Sequence, residues 1–129
     1  MLIKDLNDCS EFIAGDGSIL KELLHTGKQD VEFRYSLAHA KVFKGKKTNP
    51  HILKTSEVYY IISGKGLMHI DNESDQVSAK QAIYIPPGSM QFIENIGDND
   101  LEFLCIVDPA WKKEDEIIID EARGRKQKV

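Results

Sequence analysis

The sequence has few cysteines and no long hydrophobic run. Its 129 residues include two cysteines, Cys9 and Cys105, which are too few for the disulfide framework of a small secreted domain. No apolar run approaches the roughly 18–20 residues that a membrane-spanning helix needs. The first residues, Met1 to Leu6, lack the basic region and apolar stretch of a signal peptide. We therefore expect a cytoplasmic protein with reduced thiols and no membrane partner.

The sequence also lacks an excess of positive charge. Its 21 Asp and Glu residues outnumber its 17 Lys and Arg residues, which gives a net charge of −4 with histidine neutral. Because nucleic-acid-binding domains usually carry a basic footprint, we expect no nucleic-acid partner. The chain length and its 41% of hydrophobic residues predict one globular domain with a core of ordinary size.

Short strand signals run through the middle of the chain. Segments rich in β-branched and aromatic residues lie at 32–43, 57–62, 81–85 and 101–107. Turn signals built from glycine, proline and asparagine separate them. Short strands at this spacing predict an all-β sandwich or barrel.

The two ends of the chain are less regular. Residues 18–25 fit either a short helix or a leading strand, and we favour a strand because the rest of the chain is β. The charged residues after 120 predict a solvated terminus. We divide the chain into an N-terminal segment (1–30), which is part of the barrel or of a dimer interface, a barrel (31–110) and a C-terminal tail (111–129).

Two motifs carry the functional signal. The first reads Gly45, five residues, His51, Ile52, Leu53, three residues, Glu57, six residues and Gly64. The second reads Pro86, Pro87, Gly88, two residues, Gln91, three residues and Asn95. Together they resemble the two motifs of the cupin family over residues 32–108. This resemblance implies a double-stranded β-helix (jelly-roll) barrel with an N-terminal extension and a short C-terminal tail, commonly as a homodimer.

This chain departs from the cupin pattern at three positions. Leu53 stands at the second histidine, Gln91 at the last histidine, and Lys80 at the first glycine of the second motif. In the family, the histidines and the glutamate hold one divalent metal, so the resemblance leaves His51, Glu57 and Gln91 as candidate ligands. An amide oxygen is a weak neutral donor. The set is compatible with a loosely held divalent metal completed by waters, or with no metal.

Three further residues are candidates for contact with a ligand. Tyr59 shares strand parity with Glu57 and is expected to face the cavity, either as a hydrogen-bond donor or as core. Lys54, near the cavity mouth, would attract an anionic ligand or remain solvated. Trp111, after the last predicted strand, either packs over the barrel end or stacks on a ligand.

His39 has two possible orientations. If its alanine neighbours face the cavity, His39 faces outward, toward solvent or a dimer interface. In the other register it joins His51 as a second imidazole in the cavity. His69 lies between two apolar residues and is expected outside the barrel, and His25 is expected to be exposed.

Three functions are compatible with these residues, because one fold hosts many chemistries. The first is binding of a small polar or anionic molecule, of the sugar or carboxylic acid type, with contacts from His51, Glu57 and Gln91. The second is a sugar isomerase or epimerase, of the mannose-6-phosphate isomerase type, in which His51 and Glu57 transfer a proton next to a carbonyl. The third is a structural dimer with a decayed site. In the homodimer that the resemblance implies under any of these functions, the apolar residues Ile19, Leu20, Leu23 and Leu24 would add to a neighbour's sheet edge.

Overall fold

Strands dominate the computed structural model, which describes residues 1–29, 31–120 and 125–128. Within these residues there are twelve strands: β1 (Glu11–Ile13), β2 (Ile19–His25), β3 (Ser36–Val42), β4 (His51–Leu53), β5 (Ser56–Ser63), β6 (Lys65–Ile70), β7 (Glu73–Ser78), β8 (Ala82–Ile85), β9 (Met90–Asn95), β10 (Leu101–Asp108), β11 (Glu116–Asp120) and β12 (Arg125–Lys128). Two short 3₁₀ helices, Leu6–Asp8 and Lys113–Asp115, join them. None of the helices in the described part of the chain is both long and apolar enough to cross a membrane.

The strands form two six-stranded antiparallel sheets. The first has the order β1-β2-β3-β10-β5-β8 and the second the order β12-β11-β4-β9-β6-β7. From β3 to β6 and again from β7 to β11, each consecutive strand lies in the opposite sheet. This alternation of strands between two facing sheets confirms the predicted all-β jelly-roll barrel.

The hydrophobic core fills one end of the barrel. Its buried members come from both sheets: Ala40, Val42, Tyr59, Ile61, Met68, Ile85, Ile93, Leu101, Phe103 and Cys105. The rings of Tyr59 and Phe103 are in contact, with 4.4 Å between their centroids. Core positions alternate with more exposed ones along β5, β9 and β10, as the two-residue period of a strand requires.

The turn that carries Lys80 keeps the backbone conformation that the cupin pattern assigns to glycine. Lys80 has a φ of 74°, in the left-handed region. Its N–H donates to the carbonyl of Ile61 at 2.8 Å, which ties the turn to β5. The lysine therefore preserves the geometry of the turn at the expense of backbone strain.

The two ends of the chain both enter the sheets. Residues 19–25 form strand β2, which confirms the preference for a strand over a helix. The segment expected as a C-terminal tail contributes β11, which pairs with β4 and places Ile118 opposite His51. Three consecutive isoleucines give this segment the strand propensity to extend the sheet. Residues 121–124 and 129, the rest of that expected tail, lie outside the described residues.

Candidate functional site

A cavity of about 250 Å³ occupies the end of the barrel where β3 and β5 begin and β10 ends. Its apolar lining includes Phe12, Leu20, Ala38, Phe103, Val107 and Trp111. Its polar lining includes Asp16, His51, Glu57 and Glu116, all of which are buried. The cavity therefore combines an apolar wall with a compact group of titratable side chains.

His51, the first residue of β4, is held in a defined orientation. Its side chain is only 2% exposed, and Nδ1 lies 2.8 Å from the carbonyl oxygen of Asn49. Nδ1 therefore donates to that carbonyl, and Nε2 is the nitrogen left for the cavity. Nε2 lies 3.9 Å from Oδ2 of Asp16, which is within ion-pair range but beyond a hydrogen bond.

A chain of hydrogen bonds links Tyr59, Gln91 and Glu57. The Tyr59 hydroxyl donates to Oε1 of Gln91 at 3.1 Å, and Nε2 of Gln91 donates to Oε1 of Glu57 at 3.1 Å. Both ends of the buried Gln91 amide therefore have protein partners. Gln91 positions the Glu57 carboxyl group and does not itself line the cavity.

Asp16 and Glu116 complete the polar group. Asp16 lies in the turn between β1 and β2, where Oδ1 accepts from the backbone N–H and the hydroxyl of Ser18 at 3.0 and 2.7 Å. The carbonyl of Asp16 accepts from the N–H of Asn49 at 2.6 Å, which brings this turn beside His51. Glu116 begins β11, and its Oε2 accepts from the indole Nε1 of Trp111 at 3.4 Å.

Neither Asp16 nor Glu116 is identifiable as a site residue from the sequence alone. Both belong to segments outside the two motifs, and they reach the cavity through contacts with residues distant in the chain. The available signal was local: Glu116 directly precedes an apolar strand segment, and Asp16 is followed two residues later by Ser18 in an Asx-type turn.

The crowding of charged groups shifts their pKa values. Burial raises the pKa of Glu57 from 4.5 to about 7; His51 and Gln91 oppose this rise, whereas Asp16 and Glu116 add to it. Burial likewise raises the pKa of Glu116; His51 and the Trp111 indole oppose this rise, whereas Asp16 adds to it. For His51, burial lowers the pKa, but Asp16, the Asn49 carbonyl, Glu116 and Glu57 outweigh it, and the pKa is raised above 6.5.

Tyr59 and Cys105 are neutral members of the same region. Burial, followed by the nearby Glu57 carboxylate, raises the pKa of the Tyr59 phenol well above 10. The same two causes raise the pKa of the Cys105 thiol well above 9. The phenol therefore acts as a hydrogen-bond donor, and the thiol is an uncharged part of the cavity wall.

The donor set does not fit the metal site that the resemblance implied. Leu53 is buried and supplies no donor, and the amide oxygen of Gln91 is taken by Tyr59. Of the three predicted ligands, only His51 and Glu57 line the cavity. Across the described residues, no group of three or more His, Cys, Asp and Glu side chains is arranged to hold a metal ion.

The remaining predicted site residues separate into two groups. Trp111 and Tyr59 line the cavity, as expected, whereas Lys54 is exposed at the β4–β5 turn and lies outside it. His39 also lies outside: it is buried on the other face of β3, with Nε2 3.1 Å from Oε1 of Glu102. The physical reason is that successive side chains of a strand point to opposite faces of the sheet. Because Ala38 lines the cavity, His39 must face away from it.

Two histidines outside the motifs also have defined partners. His69 lies outside the cavity as expected, with Nε2 2.7 Å from Oε2 of Glu94. His25, which was expected to be exposed, is half-buried, and its Nε2 lies 2.7 Å from the carbonyl oxygen of Trp111. His25 therefore helps to hold the segment that carries the indole.

Comparisons with known proteins agree on the family. Residues 39–107 match the family model described as Cupin domain. An uncharacterized protein of Methanocaldococcus jannaschii is 44% identical over 110 residues, which cover 84% of this chain and 87% of that protein. The oxalate-binding protein of Thermotoga maritima is 35% identical over 51 residues, which cover 40% of this chain and 42% of that protein.

A solved structure shows the same fold. The crystal structure of a predicted oxalate decarboxylase from Thermotoga maritima superposes with a TM-score of 0.72 and 23% identity. The match covers 84% of this chain and 99% of that chain. At this level of identity, the likeness concerns the barrel and not the contents of its cavity.

Proposed function

This chain belongs to the cupin family, and from that premise we propose that it binds a small polar molecule in the cavity of its barrel. The observation that supports this proposal is the cavity of about 250 Å³, whose apolar wall surrounds a few buried polar groups. Small-molecule sites generally have this composition, with apolar residues supplying contact area and placed polar groups supplying orientation. His51, Glu57 and Trp111 are the residues we expect to contact the ligand.

The charges of the cavity favour a ligand that donates hydrogen bonds. Asp16, Glu57 and Glu116 all contribute carboxyl groups to the lining, and carboxylates accept hydrogen bonds. A sugar-type ligand would satisfy them with its hydroxyl groups. A carboxylic acid ligand would add a further negative charge beside them, and Lys54, the cation expected to attract it, lies outside the cavity.

A thermal-shift screen tests the binding function. Neutral sugars, amines, sugar phosphates and small organic acids, oxalate included, are added to the full chain, and a ligand of the folded state raises the melting temperature. We expect the shift to disappear in His51→Gln and to persist in His69→Gln, a histidine outside the cavity. Absence of any shift across all four classes would contradict small-molecule binding.

Elemental analysis separates direct binding from binding through a metal. We expect protein purified without an affinity tag to contain much less than one divalent metal per chain, because the described residues hold no group of three or more His, Cys, Asp and Glu side chains arranged around one metal position. Near-stoichiometric metal that is lost in His51→Ala would contradict direct binding and restore the metal-site prediction.

Acid–base catalysis is a second candidate function, favoured by the pKa of Glu57. A carboxyl group with a pKa of about 7 faces the same cavity as His51, and general acid–base groups work best when they titrate near the working pH. Sugar isomerases or epimerases of this kind exchange a carbon-bound hydrogen with solvent. NMR of each bound sugar in D₂O would detect this exchange, which Glu57→Gln should abolish; no exchange with any ligand that binds would contradict catalysis.

We also propose a homodimer formed through the outer face of the first sheet. Tyr60 and Tyr84 are 41% and 61% exposed there, and Ile106 is also exposed. The pairing registers place Val58 between Tyr84 and Ile106, so these side chains form one continuous apolar row. Such patches on soluble proteins often mark contacts between proteins.

This surface differs from the segment that the sequence suggested for the dimer. β3 pairs along one side of β2, and β1 covers residues 19–21 on the other, so only residues 22–24 of this segment keep an open edge. Light scattering should give the mass of a dimer, and Tyr60→Lys should give a monomer, whereas Glu73→Lys on the second sheet should not. A monomeric wild type would contradict the proposal.

A further inference from the structure

The cavity contains more carboxyl groups than positively charged groups. Asp16, Glu57 and Glu116 line it and are 9%, 7% and 7% exposed, whereas His51 is its one imidazole within the described residues. Lys28 and Glu22 also line the cavity and form an ion pair with each other. With the three carboxyl groups ionised and His51 charged, two negative charges remain without a positive partner in this group.

Several polar atoms of this group have no hydrogen-bond partner in the described part of the chain. His51 is only 2% exposed, and its Nε2 makes no hydrogen bond, since its nearest carboxylate oxygen is 3.9 Å away. Glu57 uses Oε1 to accept from Gln91, and Oε2 remains free. His51 and Glu57 both line the cavity, so a molecule that enters it can pair with these atoms, and polar groups left unpaired away from water are costly. The cavity therefore presents free acceptors to whatever enters it.

The walls of the cavity suit the body of an organic cation. Phe12, Phe103 and Trp111 supply aromatic lining, and aromatic rings attract cations as well as apolar groups. The indole N–H of Trp111 donates to Oε2 of Glu116, which holds this ring next to a carboxylate.

We propose that the ligand of this cavity is a small organic cation, in which a primary ammonium group sits on a compact, partly apolar body. This inference rests on the proposed binding function and names its ligand class. The ammonium would donate its three N–H groups to free oxygens among the carboxyl groups of Asp16, Glu57 and Glu116, which all line the cavity. The apolar body would contact Trp111 and the neighbouring wall.

A matched set of three probes tests the charge of the ligand. Benzylamine, benzyl alcohol and benzoic acid have nearly the same shape, and at neutral pH they are positive, neutral and negative. Isothermal titration of the full chain should show benzylamine binding about tenfold or more tightly than benzyl alcohol, because hydrogen bonds to charged groups are the stronger ones. Benzoate should bind more weakly than the alcohol.

Two variants test whether Asp16 and Glu116 cause the preference for benzylamine over benzyl alcohol. Asp16→Asn and Glu116→Gln should each lower the affinity for benzylamine by about tenfold and leave the affinity for benzyl alcohol nearly unchanged. Asp16→Asn retains the side-chain oxygen that accepts from Ser18, and melting curves check the fold of both. Glu102→Gln, on the outer face beside His39, is the matched control and should bind all three probes as the wild type does.

The outcomes separate this inference from the function on which it rests. If benzyl alcohol or benzoate binds as tightly as benzylamine, the cationic ligand is ruled out and small-molecule binding stands. If both variants keep the full preference for the amine, the assignment of that preference to Asp16 and Glu116 is overturned. If none of the three probes binds but a sugar or an organic acid from the wider screen does, the cationic ligand is likewise ruled out and small-molecule binding stands. If no compound of any class binds, both proposals are overturned.

Discussion

The two ends of the barrel interior differ in what they contain, although the same strands build both. β5 supplies Ile61 to the apolar core and Glu57 to the polar cavity, and β10 supplies Leu101 to the core and Val107 to the cavity. All of these residues point inward. Strand parity therefore decides that a side chain faces the interior, and position along the strand decides which end it enters.

This difference assigns separate roles to the two ends. The core end removes apolar surface from water, which is the main favourable contribution to folding. The cavity end buries three carboxyl groups and an imidazole, which opposes folding unless they are paired. We infer that the core end supplies the stability that allows the cavity end to keep unpaired polar groups for a ligand.

The largest expected effect comes from breaking the core end. Ile93 has no exposed surface and lies within the core cluster. Ile93→Ala should lower the free energy of unfolding by about 2–5 kcal/mol, through lost burial and the cavity left behind. Urea unfolding would measure this loss, and Ile62→Ala, at a largely exposed position on β5, should lower stability far less. Equal losses would contradict the assignment of the core.

The next effect concerns the dependence of stability on pH. Because the pKa of Glu57 rises from 4.5 to about 7 on folding, the folded state holds this proton more tightly than the unfolded chain does. The contribution is fully present below about pH 4.5 and is lost as the pH rises through about 7, a change of about 3 kcal/mol. The raised pKa values of His51 and Glu116 act in the same direction.

Glu57→Gln isolates this contribution. Relative to the wild type, the variant should be more stable at about pH 8 than at about pH 5, because it removes the group that must lose a proton in a buried site. Urea unfolding at both pH values measures how the free energy of unfolding changes between them. Glu73→Gln, at an exposed position of β7, should show the same change as the wild type. A wild-type and a Glu57→Gln curve that run parallel would show that Glu57 titrates normally.

A smaller effect is expected from the hydrogen bonds that position Glu57. Tyr59→Phe removes the donor to Oε1 of Gln91 and leaves this buried oxygen unpaired. We expect a loss of about 1–2 kcal/mol in the free energy of unfolding. Tyr60→Phe, one residue further along β5 and on the outer face, provides the control. A Tyr59→Phe variant as stable as the wild type would contradict the proposed hydrogen-bond chain.

The smallest effect concerns the turn beside the core end. Lys80 holds a φ of 74°, a conformation that disfavours residues with a Cβ by roughly 1–2 kcal/mol. Lys80→Gly should relieve this strain, although the greater freedom of glycine in the unfolded chain offsets part of the gain. We expect a net increase in stability of up to about 1 kcal/mol by urea unfolding. If Lys80→Gly were less stable than the wild type, the stabilisation supplied by the lysine side chain would have to exceed the cost of its backbone strain.

Much of the fold was predictable from the sequence, because the relevant signals are local. Alternation of residue types predicted the strands. The two-residue period of a strand correctly placed His51 and Leu53 on the buried face of β4, and Glu57 and Tyr59 on the buried face of β5. The motif spacing predicted the family and the jelly-roll barrel. The orientation of His39 was left open, since both registers fit the pattern and only the packing of its alanine neighbours distinguishes them.

The composition of the candidate site was less predictable. Gln91 was expected to contact a ligand or metal, but its amide is used by Tyr59 and Glu57. Asp16 and Glu116 approach His51 from opposite ends of the chain, through the pairing of β11 with β4 and a hydrogen bond from Asn49. Sequence patterns carry no information about such distant contacts without an alignment.

The sequence by itself determined that this chain is a small all-β barrel of the cupin family whose motif retains only His51 and Glu57 of the expected metal ligands. Only the tertiary structure decided that these two residues share a cavity with two further buried carboxyl groups, those of Asp16 and Glu116, and a tryptophan. The physical reason is separation along the chain. Strand periodicity and motif spacing are properties of residues near each other in sequence, whereas the charge of a cavity depends on which residues, distant in sequence, line it.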